Sequence, residues 1–183
     1  MLLSPSNSPA KEKLMPRVSL DLENAADLAL LNAGGWRVAM GLVPGESNQG
    51  LVAEMRGSPA RLPDYDDSGW EQNAEIQERR SVGLTFAWYR LKVTIPSTAK
   101  GEDLAGRRVW FETNVDNYGE VYVDGQIDRN LWVITGNNVP KRVLIEESAV
   151  PGTEHVIAVL VGNAPLAEPV GTIFVRYATL AFE

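Results

Sequence analysis

Hydrophobic and polar residues alternate most cleanly between Phe86 and Ile95. Tyr89, Leu91, Val93 and Ile95 fall on one face of an extended chain, and Trp88, Arg90, Lys92 and Thr94 on the other. A period of two is that of a β-strand, with the first set turned to a core and the second to solvent or a second layer. Arg90 and Lys92 read as ordinary outer-face charges. Further apolar runs at Trp36–Leu42, Arg107–Thr113, Tyr118–Val123, Ile127–Ile134, Val139–Ile145, His155–Val161 and Thr172–Phe182 read as strands, with a weaker one at Leu51–Met55. His155–Val161 is apolar enough to be a central strand. Short strands punctuated by turn signals such as Asp124-Gly125 predict an all-β sandwich.

The remaining segments break this rhythm. Leu22–Asn32 is rich in Ala and Leu, with Asn24 placed to cap a helix, Asp27 three residues on, and Gly34-Gly35 to end it. Pro44–Gly50 reads as a loop. Residues 57–85 hold Gly57, Pro59, Pro63, Gly69 and Gly83 and read as mostly irregular, and long irregular stretches in compact domains are often functional. Residues 1–17 are rich in Ser, Pro and Lys without a period and read as a flexible arm, leaving residues 18–183 as one sandwich domain.

Composition narrows the chemistry. The 183 residues suffice for a core without staples, and the absence of cysteine excludes disulfides and thiolate chemistry. A net charge of −7 with no basic block argues against nucleic acid as a partner. No apolar run approaches the roughly 20 residues that cross a bilayer, so no membrane association is expected. The first residues lack the basic start and apolar stretch of a signal peptide, and the expected location is the cytoplasm.

Several motifs in order resemble one family. Leu31-Asn32 followed by Trp36-Arg37-Val38 resembles the opening strand of the sugar-binding domain of family 2 glycoside hydrolases. Tyr65-Asp66-Asp67-Ser68-Gly69-Trp70 resembles its "DDSxW" turn, and Ala87-Trp88-Tyr89-Arg90 its "WYR" strand. Val115–Gly125 resembles its "V-D-x-x-x-x-V-x-V-N-G" strand, Pro151–Val159 its "P-G-x-N-V-L-A-V", and Gly171-Thr172-Ile173-Phe174 the start of its last strand. The resemblance spans roughly residues 31–183. It implies a galactose-binding-like β-sandwich of jelly-roll topology, here without the family's catalytic barrel and its two glutamates. After "V-N-G" the family often carries a histidine and a glycine pair, whereas this chain reads Ile127-Asp128-Arg129-Asn130-Leu131-Trp132.

The resemblance thus implies a non-catalytic carbohydrate-binding module. Two other readings stay open: an accessory subunit, docking on a separate catalytic subunit or self-associating, and a small hydrolase using loop carboxylates or His155. Trp132 is the leading ligand-binding candidate, because an indole matches the apolar face of a sugar ring and Arg129, Asn130, Asn137 and Asn138 nearby suit its hydroxyls. Asn117 and Tyr118, in the turn expected at Asn114–Gly119, complete the set. Trp36, Trp70, Trp88 and Trp110 read as packing residues. The single histidine, His155, reads as structural and rules out a multi-histidine metal site. Asp64, Asp66 and Asp67 could hold a structural calcium, but turn chemistry is the favoured reading, and no metal or cofactor is expected. No catalytic residue is assigned.

Overall fold

A computed structural model describes residues 15–46, 57–73, 76, 78–164 and 170–183. In chain order these form β1 (Val18–Asp21), a helix α1 (Ala25–Leu30), β2 (Trp36–Met40), a 3₁₀ turn (Pro59–Arg61), β3 (Glu71–Asn73), β4 (Glu78–Val82) and β5 (Thr85–Thr94). Then come β6 (Thr98–Ala99), β7 (Glu102–Asp103), β8 (Val109–Asp116), β9 (Tyr118–Val123), β10 (Val133–Thr135), β11 (Val139–Glu146), β12 (Glu154–Asn163) and β13 (Val170–Phe182). The architecture is the all-β sandwich that the alternation predicts. One main sheet runs β1-β13-β8-β11, with β4 also paired to β13, the other main sheet runs β10-β9-β12-β5-β2-β3, and β6 and β7 form a separate two-stranded ribbon. Pairing within both main sheets is antiparallel.

The core lies between the sheets. Tyr89, Leu91 and Val93 of β5, with Ile95 just beyond it, point inward and are buried, alongside Phe111, Val121, Ile157, Val159, Leu180 and Phe182. β12 takes the central place expected of its apolar run, paired to β5 on one side and β9 on the other and buried on both faces.

Several elements depart from the sequence reading, each for a local reason. The helix is shorter than Leu22–Asn32. Asn24 does cap it, its Oδ1 accepting the N–H groups of Ala26 at 2.9 Å and Asp27 at 3.2 Å, but Leu22 is tied to Ala178 of β13 and Asn32 turns left-handed with φ 51°. Within 57–85, expected to be irregular, the chain forms β3 and β4. β4 reads Glu-Arg-Arg-Ser-Val and carries little strand signal, so its conformation is set by pairing with β13. The expected strand Ile127–Ile134 is reduced to β10. Asp128 accepts the N–H groups of Asn130 and Leu131 on its side chain and those of Leu131 and Trp132 on its carbonyl, a local turn that competes with extension. β8 continues through Asn114–Asp116, where a turn was expected, and the chain changes sheets at Asn117. The weak strand at Leu51–Met55 and residues 1–14 of the arm lie outside the described residues.

The largest correction concerns Arg90. It does lie on the outer face of β5, yet its side chain is only 3% exposed. Its Nε donates to Asp67 Oδ2 at 2.8 Å, and its Nη1 donates to the carbonyls of Ala60 and Leu62. The rings of Tyr65 and Trp70 lie 5.5 and 5.9 Å from the guanidinium carbon. Arg90 thus pins residues 60–70 across the sheet as a second layer.

Candidate functional site

The outer face of the six-stranded sheet carries a second apolar cluster built on β5, β9 and β12. The strand register sets three rows across these strands: Phe86, Gly162 and Tyr118; Trp88, Leu160 and Glu120; Arg90, Ala158 and Tyr122. The Arg90 row is roofed by the 60–70 segment, with Ala60 and Trp70 packed against Trp88, Tyr122 and Ala158. Over the other two rows lies a cleft of about 790 Å³. That size falls within the range of small-molecule sites. Its walls include Leu42, Leu84, Phe86, Trp88, Tyr118, Tyr122 and Leu160, with Ser58, Asn117, Glu120, Arg129 and Asn163 as polar members.

Gly162 makes this floor possible. A Cβ there would stand 3.1 Å from the Phe86 ring, so glycine keeps the trough between Phe86 and Tyr118 open. Trp88 is fixed by its indole N–H, which donates to the Leu42 carbonyl at 2.9 Å, and by a tilted contact with Tyr122 at 5.6 Å.

The polar end centres on Glu120, which is 7% exposed. Its Oε1 accepts the Tyr118 hydroxyl at 2.6 Å and Arg129 Nη1 at 2.9 Å, and its Oε2 accepts the Tyr122 hydroxyl. Burial, with the hydrogen bond to Glu120 adding to it, pushes the Tyr118 hydroxyl up to about 12 and raises Tyr122 likewise. Both phenols therefore stay protonated and donate to the carboxylate.

Of the residues named from sequence, the structure brings Asn117, Tyr118 and Arg129 into this cleft. Trp132, Asn130, Asn137 and Asn138 lie outside it. Trp132 is half-buried and packs against the main core. Asn138 accepts the side-chain N–H of Asn114 at 2.8 Å, and Asn130 and Asn137 are exposed in the turns flanking β10. Sequence reasoning missed Phe86, Trp88, Glu120, Tyr122 and Leu160. The signal was present, since Tyr118, Glu120 and Tyr122 alternate against the inward Val121 and Val123, and a carboxylate in mid-strand between two tyrosines demands a partner.

The other candidates are engaged structurally. Asp66 accepts the backbone N–H of Ser68 at 3.0 Å, and hydrogen bonds from the Ser68 side chain and backbone hold its carboxyl below the usual range. Asp67 is held by Arg90 and lies 3.5 Å from Arg37. Among the described residues no group of three or more acidic or histidine side chains is arranged to hold a metal. His155 bridges two carboxylates, Asp124 at 2.7 Å through Nδ1 and Glu146 at 2.8 Å through Nε2. Because His155 sits on β12 and Glu146 on β11, this contact ties the two sheets together. Among the described residues no helix is long and apolar enough to cross a membrane.

Fold and cleft together define an antiparallel β-sandwich with a ligand-sized trough on the outer face of one sheet. No protein-family model and no curated protein matches the chain. Solved structures do. A calcium-binding mutant of Bacteroides uniformis beta-glucuronidase 2 matches 91% of this chain at a TM-score of 0.61 and 15% identity. A beta-glucuronidase from glycoside hydrolase family 2 matches 92% at 0.56 and 15%. Faecalibacterium prausnitzii beta-glucuronidase matches 98% at 0.54 and 19%. The matches cover 18%, 18% and 33% of those longer chains, respectively. The chain therefore has the fold of a sandwich domain of family 2 glycoside hydrolases, as its motifs suggest. At these identities the likeness concerns the fold, and function has to be argued from the site.

Proposed function

We propose that this chain binds carbohydrate in the cleft over Phe86, Trp88 and Tyr118 and performs no chemistry on it. The observation that carries this reading is the pairing of an aromatic trough with a hydrogen-bonding end at Glu120 and Arg129. A pyranose offers an apolar C–H face to such a floor and hydroxyls to such an end. Hydrolysis of a glycoside ordinarily uses two carboxyl groups flanking the bond. Glu120 is the one carboxylate among the described lining residues, and three donors already hold it. Arg129, expected beside Trp132, and Tyr118, expected in the turn at Asn114–Gly119, act here without Trp132.

The test is titration calorimetry against a broad panel of neutral and acidic glycans. Phe86→Ala removes part of the aromatic floor and is expected to weaken binding about tenfold or more, a change of roughly 1.4 kcal/mol. Trp132→Ala, away from the cleft, should lower stability and leave affinity of the folded protein unchanged. If the wild type binds no glycan in the panel, the reading fails.

A further inference from the structure

We infer that the cleft accepts neutral, hydroxyl-rich sugars and excludes their uronic acid counterparts, with Glu120 as the residue that discriminates. The inference rests on the carbohydrate-binding reading above and adds the class of sugar to it.

Three observations lead there. First, the phenolic hydrogens at the polar end are already committed, and Arg129 spends one of its N–H groups on the Glu120 carboxylate. The hydroxyls of Tyr118 and Tyr122 both donate to Glu120, so each phenol oxygen turns only lone pairs toward a ligand. Glu120 is itself an acceptor. Three oxygens in a row then demand donors, which sugar hydroxyls supply and a ligand carboxylate does not.

Second, the charges are unequal in effect although equal in number. Glu120 and Arg129 are the only charged groups among the described lining residues. The Glu120 side chain is 9% exposed and that of Arg129 is 66% exposed. A buried charge acts through a low dielectric, whereas an exposed one is screened by water and salt. A second carboxylate on the floor would meet Glu120 through a low dielectric, while Arg129, already paired with Glu120 at 2.9 Å, offers it little further help.

Third, the surrounding floor is aromatic and aliphatic, formed by Phe86, Trp88 and Leu160. It cannot solvate an anion, so a carboxylate placed there would lose its water without replacement.

The experiment uses the full chain and two probe pairs that differ only at C6: methyl β-glucopyranoside with methyl β-glucopyranosiduronate, and methyl β-galactopyranoside with methyl β-galactopyranosiduronate. Binding is read by saturation-transfer NMR and by shifts of the Tyr118 and Tyr122 ring resonances. The neutral member of at least one pair is expected to bind, and its uronate to bind about tenfold more weakly or worse. Glu120→Gln keeps the shape and an acceptor while leaving Arg129 uncompensated, and should abolish or invert that preference. A uronate that binds as tightly as its neutral partner overturns the inference and leaves carbohydrate binding standing. A Glu120→Gln protein that is folded by its melting curve and keeps the wild-type preference overturns it equally. If none of the four probes binds and no ring resonance moves, both the inference and the reading beneath it fall.

Discussion

Replacing Arg90 tests whether a buried cation, and not apolar contact alone, holds the 60–70 segment over the sheet. Arg90→Met keeps a long apolar stem between Tyr65 and Trp70 and removes the guanidinium. Lost with it are the 2.8 Å pair to Asp67, the donors to the carbonyls of Ala60 and Leu62, and the cation–π contacts to the two rings. Removing one partner of a buried pair costs about 3–5 kcal/mol. Asp67 is 27% exposed and keeps Arg37 nearby, so its own loss is softened, which brings the expected cost to about 3 kcal/mol. For a chain of this size that is a fall in melting temperature of roughly 6–12 °C. Urea denaturation and calorimetry give the total, and hydrogen exchange gives the location. The amides of Leu62, Tyr65 and Trp70, which bond within residues 59–70, should lose protection first, while those of β12 stay protected. A Met variant destabilised by less than about 1 kcal/mol, within the range of a tolerated core exchange, would refute the reasoning and show that apolar packing suffices. Uniform loss of protection across the sheet would refute the local part of it.

Four further outcomes are expected. His155 has a raised pKa in the fold: burial alone would lower it, but hydrogen bonds to Asp124 and Glu146, aided by their charge, more than offset that. A raised folded-state value means the stabilisation is complete below the ordinary 6.5 and fades as pH rises through the folded value. The melting-temperature deficit of His155→Asn should therefore be larger near pH 5.5 than near pH 8.5, set on either side of the ordinary histidine range, and a deficit independent of pH counts against a charged bridge. Gly119→Ala places a Cβ 2.7 Å from Val115 Cγ2 at the inner face of β9, and should cost about 1–3 kcal/mol in urea denaturation. Gly162→Ala pushes on the Phe86 ring at 3.1 Å and should lower glycan affinity in calorimetry more than it lowers stability. Tyr118→Phe removes one donor to Glu120 and should cost about 1–3 kcal/mol of stability, since the carboxylate stays buried.

How much of this was legible in the sequence depended on which forces set each feature. The inward face of β5 and the central position of β12 follow from apolar periodicity, which a single chain displays. β4 does not, because Glu78–Val82 is extended only through its pairing with β13, a contact 90 or so residues away in the chain. The Asx turn at Asp128 could have been anticipated from Asp-Arg-Asn, yet the apolar run Leu131–Ile134 outweighed it. Within the candidate site, Asn117 and Tyr118 stand out by their turn-like setting, while Trp132 and, with it, Arg129 stand out by an indole set among polar neighbours. Whether an indole faces a ligand or a core is decided by the loop's path, and no local pattern encodes that. Arg90 misled for the opposite reason: a charge on an outer face normally means solvent, and only the 60–70 segment makes that face an interior.

That same segment explains why the cleft exists where it does. The outer face of β5, β9 and β12 is largely apolar, broken by Arg90 and Glu120: Phe86 and Trp88 lie on one strand, Ala158 and Leu160 on the next, Tyr122 on the third. An apolar face this long is costly to leave in water, and a sandwich buries only the other side of the sheet. The 60–70 segment covers the Arg90 row and stops, with Gly125 at the β9 turn within 3.2 Å of Pro63 once given a Cβ, and Ala60 against Trp88. Beyond that edge the cleft borders the half-buried Phe86 and Tyr118, with the buried Trp88 row and its acidic Glu120 lying between them and the roof. The roof and the trough are thus two treatments of one surface. A ligand in the cleft would continue, over Phe86 and Tyr118, the burial that Arg90 and its segment begin, so loosening the Arg90 latch should weaken ligand binding even though Arg90 lines no part of the cleft.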